Sequence, residues 1–204
     1  LRKMCSVQTL TVGILAGGKG TRLGGRDKGM LVFEGEPFVA QLLSGVRRNL
    51  VAVPELAWVD TVINCPRNSH FYQHYADRLL CDGQLQAGPS AGIAALLATC
   101  TTDWLLTLAC DQWQVPATGI EKLFSAASFD TEDHNRWGKP SAGSHATDRG
   151  RHTPCLLINT AKVPEVNPRC SLLQLIEVTG LFPVELTGSG TDVDTPADLG
   201  RLKP

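Results

Sequence analysis

Gly17, Gly18 and Gly20, followed by Arg22, Arg26 and Lys28, form the stretch of this chain richest in groups that could do chemistry. They come directly after the apolar run Leu10 to Leu15. Glycines lack Cβ, so their backbone N–H groups can turn onto an anion in conformations that cost other residues free energy. Arg22 can fork onto two phosphate oxygens, while Lys28 acts as a mobile point charge. The pattern is that of a buried strand opening into a loop that cradles a triphosphate. Two other phosphate loops are excluded by spacing. A Walker loop requires Gly, four residues and then Gly-Lys-Ser/Thr, and the dinucleotide fingerprint requires a glycine where Leu23 stands. Composition alone leaves open a solvated glycine-rich loop.

A second set of groups follows other apolar runs. Asn64 ends the run Ala57 to Ile63, Asp82 follows Arg78 to Cys81, and Asp111 follows Trp104 to Ala109. Polar groups at the carboxyl ends of strands face the crevice where open α/β sheets bind ligands. Asp111 is therefore a candidate metal ligand. The alternative, a carboxylate capping the next helix, is weakened because that helix is expected only near Pro116. Asp192 and Asp194, at i and i+2 of an extended segment, point the same way and suit a shared cation or a capped turn.

These groups need a sheet to hold them in one line. The expected strands are Val7 to Leu15, Ala57 to Ile63, Arg78 to Cys81, Trp104 to Ala109, Cys155 to Ile158 and Phe182 to Leu186, with Met30 to Phe33 as a short extended piece. Helices are expected from Pro37 to about Asn49, Asn68 to Ala76, after Gly88-Pro89-Ser90-Ala91-Gly92, near Pro116, from Cys170 to Thr179, and after Thr195-Pro196. The alternation predicts an α/β fold. At 204 residues the chain suits a single domain spanning 1–204, with 125–151 as a long flexible loop excursion. Within it Arg149 and Arg151, with the adjoining His152, face either a large anionic acceptor or solvent.

With 19 basic and 20 acidic side chains, the net charge of −1 points to neither nucleic acid nor a membrane surface. No apolar run approaches bilayer length and no signal-peptide pattern opens the sequence, so a cytoplasmic enzyme is expected. Seven cysteines without a C-x-x-C pair read as small buried hydrophobes. His70, Phe71, Tyr72, His74 and Tyr75 read as one packed helix face with histidines at its rim.

The order of these motifs resembles the nucleotidyltransferase signature. It covers nearly the whole chain: Leu15-Ala16-Gly17-Gly18, Arg22-Leu23-Gly24, Asp27-Lys28, Ile63-Asn64-Cys65-Pro66-Arg67, Leu80-Cys81-Asp82, Gly88-Pro89-Ser90-Ala91-Gly92, Cys110-Asp111 and Asp192-Val193-Asp194-Thr195-Pro196. Gly17 makes it similar to the molybdenum cofactor guanylyltransferases, whose cytidylyltransferase relatives usually carry alanine there. The resemblance implies a Rossmann-like, doubly wound, mostly parallel sheet of the nucleotide-diphospho-sugar transferase type. It implies that Leu15, Ala16, Gly17, Gly18, Lys28, Asn64, Asp82 and Asp111 contact GTP, and that Asp111 holds Mg2+, or Mn2+ in its stead. Arg22, Lys28 and Asp111 become the catalytic set, and Asp192 and Asp194 candidates for the acceptor side. The chain departs from the family pattern at Trp113, where proline is usual, and at Asp192, where asparagine is frequent.

The implied reaction is transfer of GMP from GTP to the terminal phosphate of molybdenum-loaded molybdopterin, with release of pyrophosphate. Other cofactor-biosynthesis proteins or molybdoenzyme chaperones are the implied protein partners. The competing readings are a nucleotidyltransferase using CTP or another acceptor, and a catalytically silent nucleotide-binding protein.

Overall fold

The computed structural model describes residues 6–16, 23–81, 88–112, 115–129 and 141–186, together with Asp198. In chain order the elements are β1 Gln8–Leu15, β2 Val32–Phe33, β3 Glu36–Pro37, α1 Phe38–Leu50, β4 Leu56–Asn64, α2 Ser69–Tyr72, β5 Arg78–Leu80, α3 Pro89–Thr99, β6 Trp104–Ala109, α4 Gly119–Phe129, β7 Gly143–Asp148, β8 Arg151–Asn159, α5 Leu172–Thr179 and β9 Phe182–Glu185. Seven strands form one sheet in the order β5-β4-β1-β6-β8-β7-β9. β5, β4, β1 and β6 run parallel, and β8 runs antiparallel to both of its neighbours.

Alternation along the central strands explains why both faces are covered. Leu10, Val12 and Ile14 of β1 pack with Val39, Leu42 and Val46 of α1 and Ile120 and Leu123 of α4. On the other face Leu105 of β6 and Leu156 and Ile158 of β8 meet Ile93 and Leu96 of α3 and Leu175 and Ile176 of α5. A strand buried on both sides reads as a continuous apolar run, which is why β1 and β6 stand out in the sequence. The fold is the expected α/β, mostly parallel, doubly wound sheet.

Several local expectations are corrected. Residues 125–151 are not one flexible loop: α4 extends to Phe129, and β7 occupies Gly143–Asp148 between β8 and β9. β7 lacks an apolar pattern because its buried polar side chains find partners. Ser144 Oγ donates to the Leu123 carbonyl at 2.7 Å, and Thr147 Oγ1 donates to Glu185 Oε2 at 2.7 Å. The helix expected over Asn68 to Ala76 contracts to α2, since Asn68 takes a left-handed φ of 59° and the chain turns after Tyr72. Met30 lies in a 3-10 turn, Lys28–Met30, and Pro37 ends β3 and precedes α1. β8 is longer than Cys155 to Ile158, and the expected helix after Thr195-Pro196 lies outside the described residues except for Asp198.

β7 and β8 form a hairpin closed by Arg149 and Gly150. Glu185 of β9 ties it down by accepting from Thr147 Oγ1 and from the Arg149 N–H at 2.7 Å, and these hydrogen bonds hold its carboxyl below the usual range. His145 is buried, its Nε2 2.8 Å from Nδ1 of His152. Burial, then the facing His152 ring, lowers the His145 pKa to about 4, against a slight opposing effect from the Leu181 backbone. In the unfolded chain His145 returns to its ordinary value of 6.5 and takes a proton first. Stability present above that value is therefore lost as pH falls toward 4, by up to about 1.4 kcal/mol per pH unit and about 3 kcal/mol in all. Urea unfolding at a series of pH values should show this slope already between about pH 6.5 and 5, above the ordinary carboxylate range. A His145→Gln variant should lose it.

Candidate functional site at the carboxyl edge of the sheet

Three strands end level. Leu15 pairs in register with Asn64 of β4 on one side and with Ala109 of β6 on the other. The edge is closed by backbone hydrogen bonds beyond the strands. The Ala16 N–H donates to the Asn64 carbonyl at 2.9 Å, and the Cys110 N–H donates to the Leu15 carbonyl at 3.1 Å. On the outer side the Cys65 N–H donates to the Leu80 carbonyl at 2.9 Å. Leu15, Ala16 and Asn64 are thus brought together with Asp111, which stands one residue past Cys110. The first turn of α3 lies over them. A Cβ on Gly92 would come within 2.7 Å of Leu15 Cδ2 and 3.8 Å of Asn64 Cγ, so the glycine permits helix and strand ends to meet.

Lys28 reaches this edge from the 3-10 turn. Its Nζ donates to Asp111 Oδ2 at 2.9 Å, in an ion pair whose side chains are 18% and 28% exposed. The helix-cap reading of Asp111 falls away, because α4 begins only at Gly119. Both side chains of the pair are partly exposed at this edge.

Sequence reasoning missed the side chains that hold Lys28 in place. Asp27, immediately before it, accepts three hydrogen bonds: from Gly29 N–H at 3.2 Å, Asn68 Nδ2 at 2.9 Å and the Tyr72 hydroxyl at 2.5 Å. Tyr72 is fully buried, and burial, then Cys110 and the bond to Asp27, push its hydroxyl far above the ordinary value, so it stays a donor. Gly29 is required here, since a Cβ would lie 2.4 Å from the Tyr72 hydroxyl. The expected aromatic face is partly right: Tyr72 is buried and His70 and His74 are exposed, but Tyr72 also works as a polar anchor. The signal available in the sequence was Asp27-Lys28-Gly29 itself, a short acidic cap against a basic residue and a small one.

Gly17, Gly18, Arg22, Asp82, Asp192 and Asp194 lie outside the described residues, as does Trp113. Among the described residues no three His, Cys, Asp or Glu side chains gather as an ion site. Asp111 alone still fits a hard divalent cation of the magnesium kind, which is commonly held by one or two carboxylates, waters and substrate phosphates. Cys110 beside it is buried, and burial, then the Asp111 and Asp27 charges, raise its thiol well above the ordinary value, which leaves it inert.

Residues 12–170 match the family described as MobA-like NTP transferase domain. A molybdenum cofactor guanylyltransferase of Pseudomonas paraeruginosa is 43% identical over 115 residues, which make up 56% of this chain and 54% of that protein. Another from Pseudomonas putida is 43% identical over 115 residues, 56% of each chain. The chain therefore aligns with little more than half the length of these curated relatives. Among solved structures, molybdopterin-guanine dinucleotide biosynthesis protein A from Archaeoglobus fulgidus superposes with a TM-score of 0.60 at 18% identity, covering 94% of this chain and 95% of that one. That likeness concerns the fold, and the family follows from the sequence match: the chain belongs to the MobA-like NTP transferases.

Proposed function

We propose that this chain transfers GMP from GTP to the terminal phosphate of molybdenum-loaded molybdopterin and releases pyrophosphate. The observation that carries the proposal is the Lys28–Asp111 pair, 2.9 Å apart, standing beside the level ends of β4, β1 and β6. A cation and a hard-oxygen ligand standing side by side at this edge support a triphosphate site there. The names borne by relatives at 43% identity supply the base and the acceptor.

The nucleophile in such a transfer is already an anion, so no strong general base is required. The work is orientation and charge neutralisation. Lys28 leaves Asp111 for the phosphates and offsets the charge that gathers on the departing pyrophosphate, with Arg22 assisting. Asp111 would hold Mg2+ (or Mn2+), which would supply Lewis-acid neutralisation of phosphate oxygens. Leu15, Ala16, Gly17 and Gly18 line the nucleotide with backbone groups, and Asn64 and Asp82 read the base. Gly17 favours guanine over cytosine. Asp192 and Asp194 are assigned to the acceptor side, and the reaction to the cytoplasm.

Pyrophosphate release measured with each of the four nucleoside triphosphates, with and without molybdenum-loaded molybdopterin, tests this reading. Release should require GTP and the acceptor together; release with CTP, or none in any mixture, overturns it. Lys28→Ala and Asp111→Ala should each lower turnover by about two to three orders of magnitude, the usual cost of one preorganised charge contact. Their unfolding midpoints should stay near that of the parent. Tyr72→Phe should act indirectly, through Asp27: a loss of about 1 kcal/mol in stability and a fall in kcat larger than any change in KM for GTP.

A further inference from the structure

Cys65 and Cys81 are neighbours at the very edge that holds Asn64. Asn64 pairs in register with Leu80, and the Cys65 N–H donates to the Leu80 carbonyl at 2.9 Å, so the next residue on each strand end is a cysteine. Their Sγ atoms are 3.9 Å apart, across a sequence separation of 16. Cys65 is fully buried, whereas Cys81 is exposed. Burial first, then the hydrogen bond and charge of Cys81, push the Cys65 thiol up to about 12. Cys65 therefore keeps its proton at neutral pH, while Cys81 is the sulfur that meets solvent.

We propose that Cys65 and Cys81 form a reversible disulfide that weakens nucleotide binding at the adjoining Asn64. The oxidant is a low-molecular-weight disulfide such as oxidised glutathione. The Cys81 sulfur, as thiolate, attacks one sulfur of that disulfide, whose S–S bond breaks and releases one thiolate, giving a mixed disulfide on Cys81. Cys65 then gives up its proton and attacks Cys81 Sγ, expelling the second small thiolate. The two cysteine protons go to the two departing thiolates, so one small disulfide is reduced to two thiols as the protein dithiol is oxidised.

The geometry says why this bond would be felt at the site. An S–S bond is about 2.0 Å long, so the sulfurs must close from their present 3.9 Å. Adjacent strands stand about 4.8 Å apart, within the backbone separation a disulfide spans, and in this proposal the closure is shared between side-chain rotation and the backbone of Asn64. Asn64 is in register with Leu15, so the movement is transmitted to the middle of the edge. A misplacement of about 1 Å in a positioned group can cost on the order of 100-fold in rate, and a weakening of roughly tenfold in GTP affinity is expected here. This effect on GTP rests on the proposed function; formation of the disulfide does not.

The full chain, treated with oxidised glutathione at neutral pH, should lose two hydrogens in intact mass and yield a Cys65–Cys81 cross-linked peptide that dithiothreitol dissolves. A glutathione adduct resting on Cys81 without the cross-link, or no modification, overturns the disulfide. Calorimetric titration with GTP should then show roughly tenfold weaker binding in the oxidised protein, restored by reduction, with Cys81→Ser unaffected by the same treatment. Unchanged affinity after cross-linking overturns the regulatory part. Failure of the reduced protein to bind GTP overturns that part and the proposed function together, and leaves the disulfide standing on the mass measurement.

Discussion

The site depends on a register: β4, β1 and β6 end on one line because Leu15 faces Asn64 and Ala109 across two parallel ladders. Parallel pairing with both faces buried leaves little freedom to slip, since moving one strand by a residue would turn its core-facing side chains to the opposite face. Leu10, Val12 and Ile14 on one side and Leu105, Leu156 and Ile158 on the other therefore fix the height at which Ala16, Asn64 and Asp111 emerge. Core packing, far from any chemistry, decides where the polar edge stands.

Lys28 is placed by a different means. It comes from a 3-10 turn outside the sheet, and its approach is set by the Asp27 carboxylate, which gathers Gly29, Asn68 and Tyr72. A carboxylate with several donors is satisfied locally and can be half buried without an ion partner of its own. The cation that meets Asp111 is thus supported through hydrogen bonds to its predecessor in the chain.

Much of this was legible in the sequence, and what was not has physical causes. β1 and β6 announced themselves because strands covered on both faces are apolar throughout, and Asp111, with Asn64 at the end of the run Ala57 to Ile63, could be placed on one edge from the strand ends. β7 escaped because its interior is filled by Ser144, His145 and Thr147, which are buried through hydrogen bonds to Leu123, His152 and Glu185 and leave no hydrophobic period. Tyr72 was read as an apolar packer, since sequence spacing does not reveal that Asp27, distant along the chain, ends within reach of its hydroxyl. The meeting of Cys65 and Cys81 was hidden for the same reason. Two residues that follow two adjacent parallel strands become neighbours only when the register is known.

The reversal of β8 has a consequence for how such a protein can change over time. Because β8 runs against β6, the Arg149-Gly150 turn of the β7–β8 hairpin emerges on the same side as Asp111, yet belongs to none of the ladders that hold Leu15, Asn64 and Ala109 level. Residues can be inserted into that turn, or its charge rewritten, without disturbing the register of β4, β1 and β6. New side chains can in this way be brought beside Asp111 while the parallel half of the sheet stays unaltered.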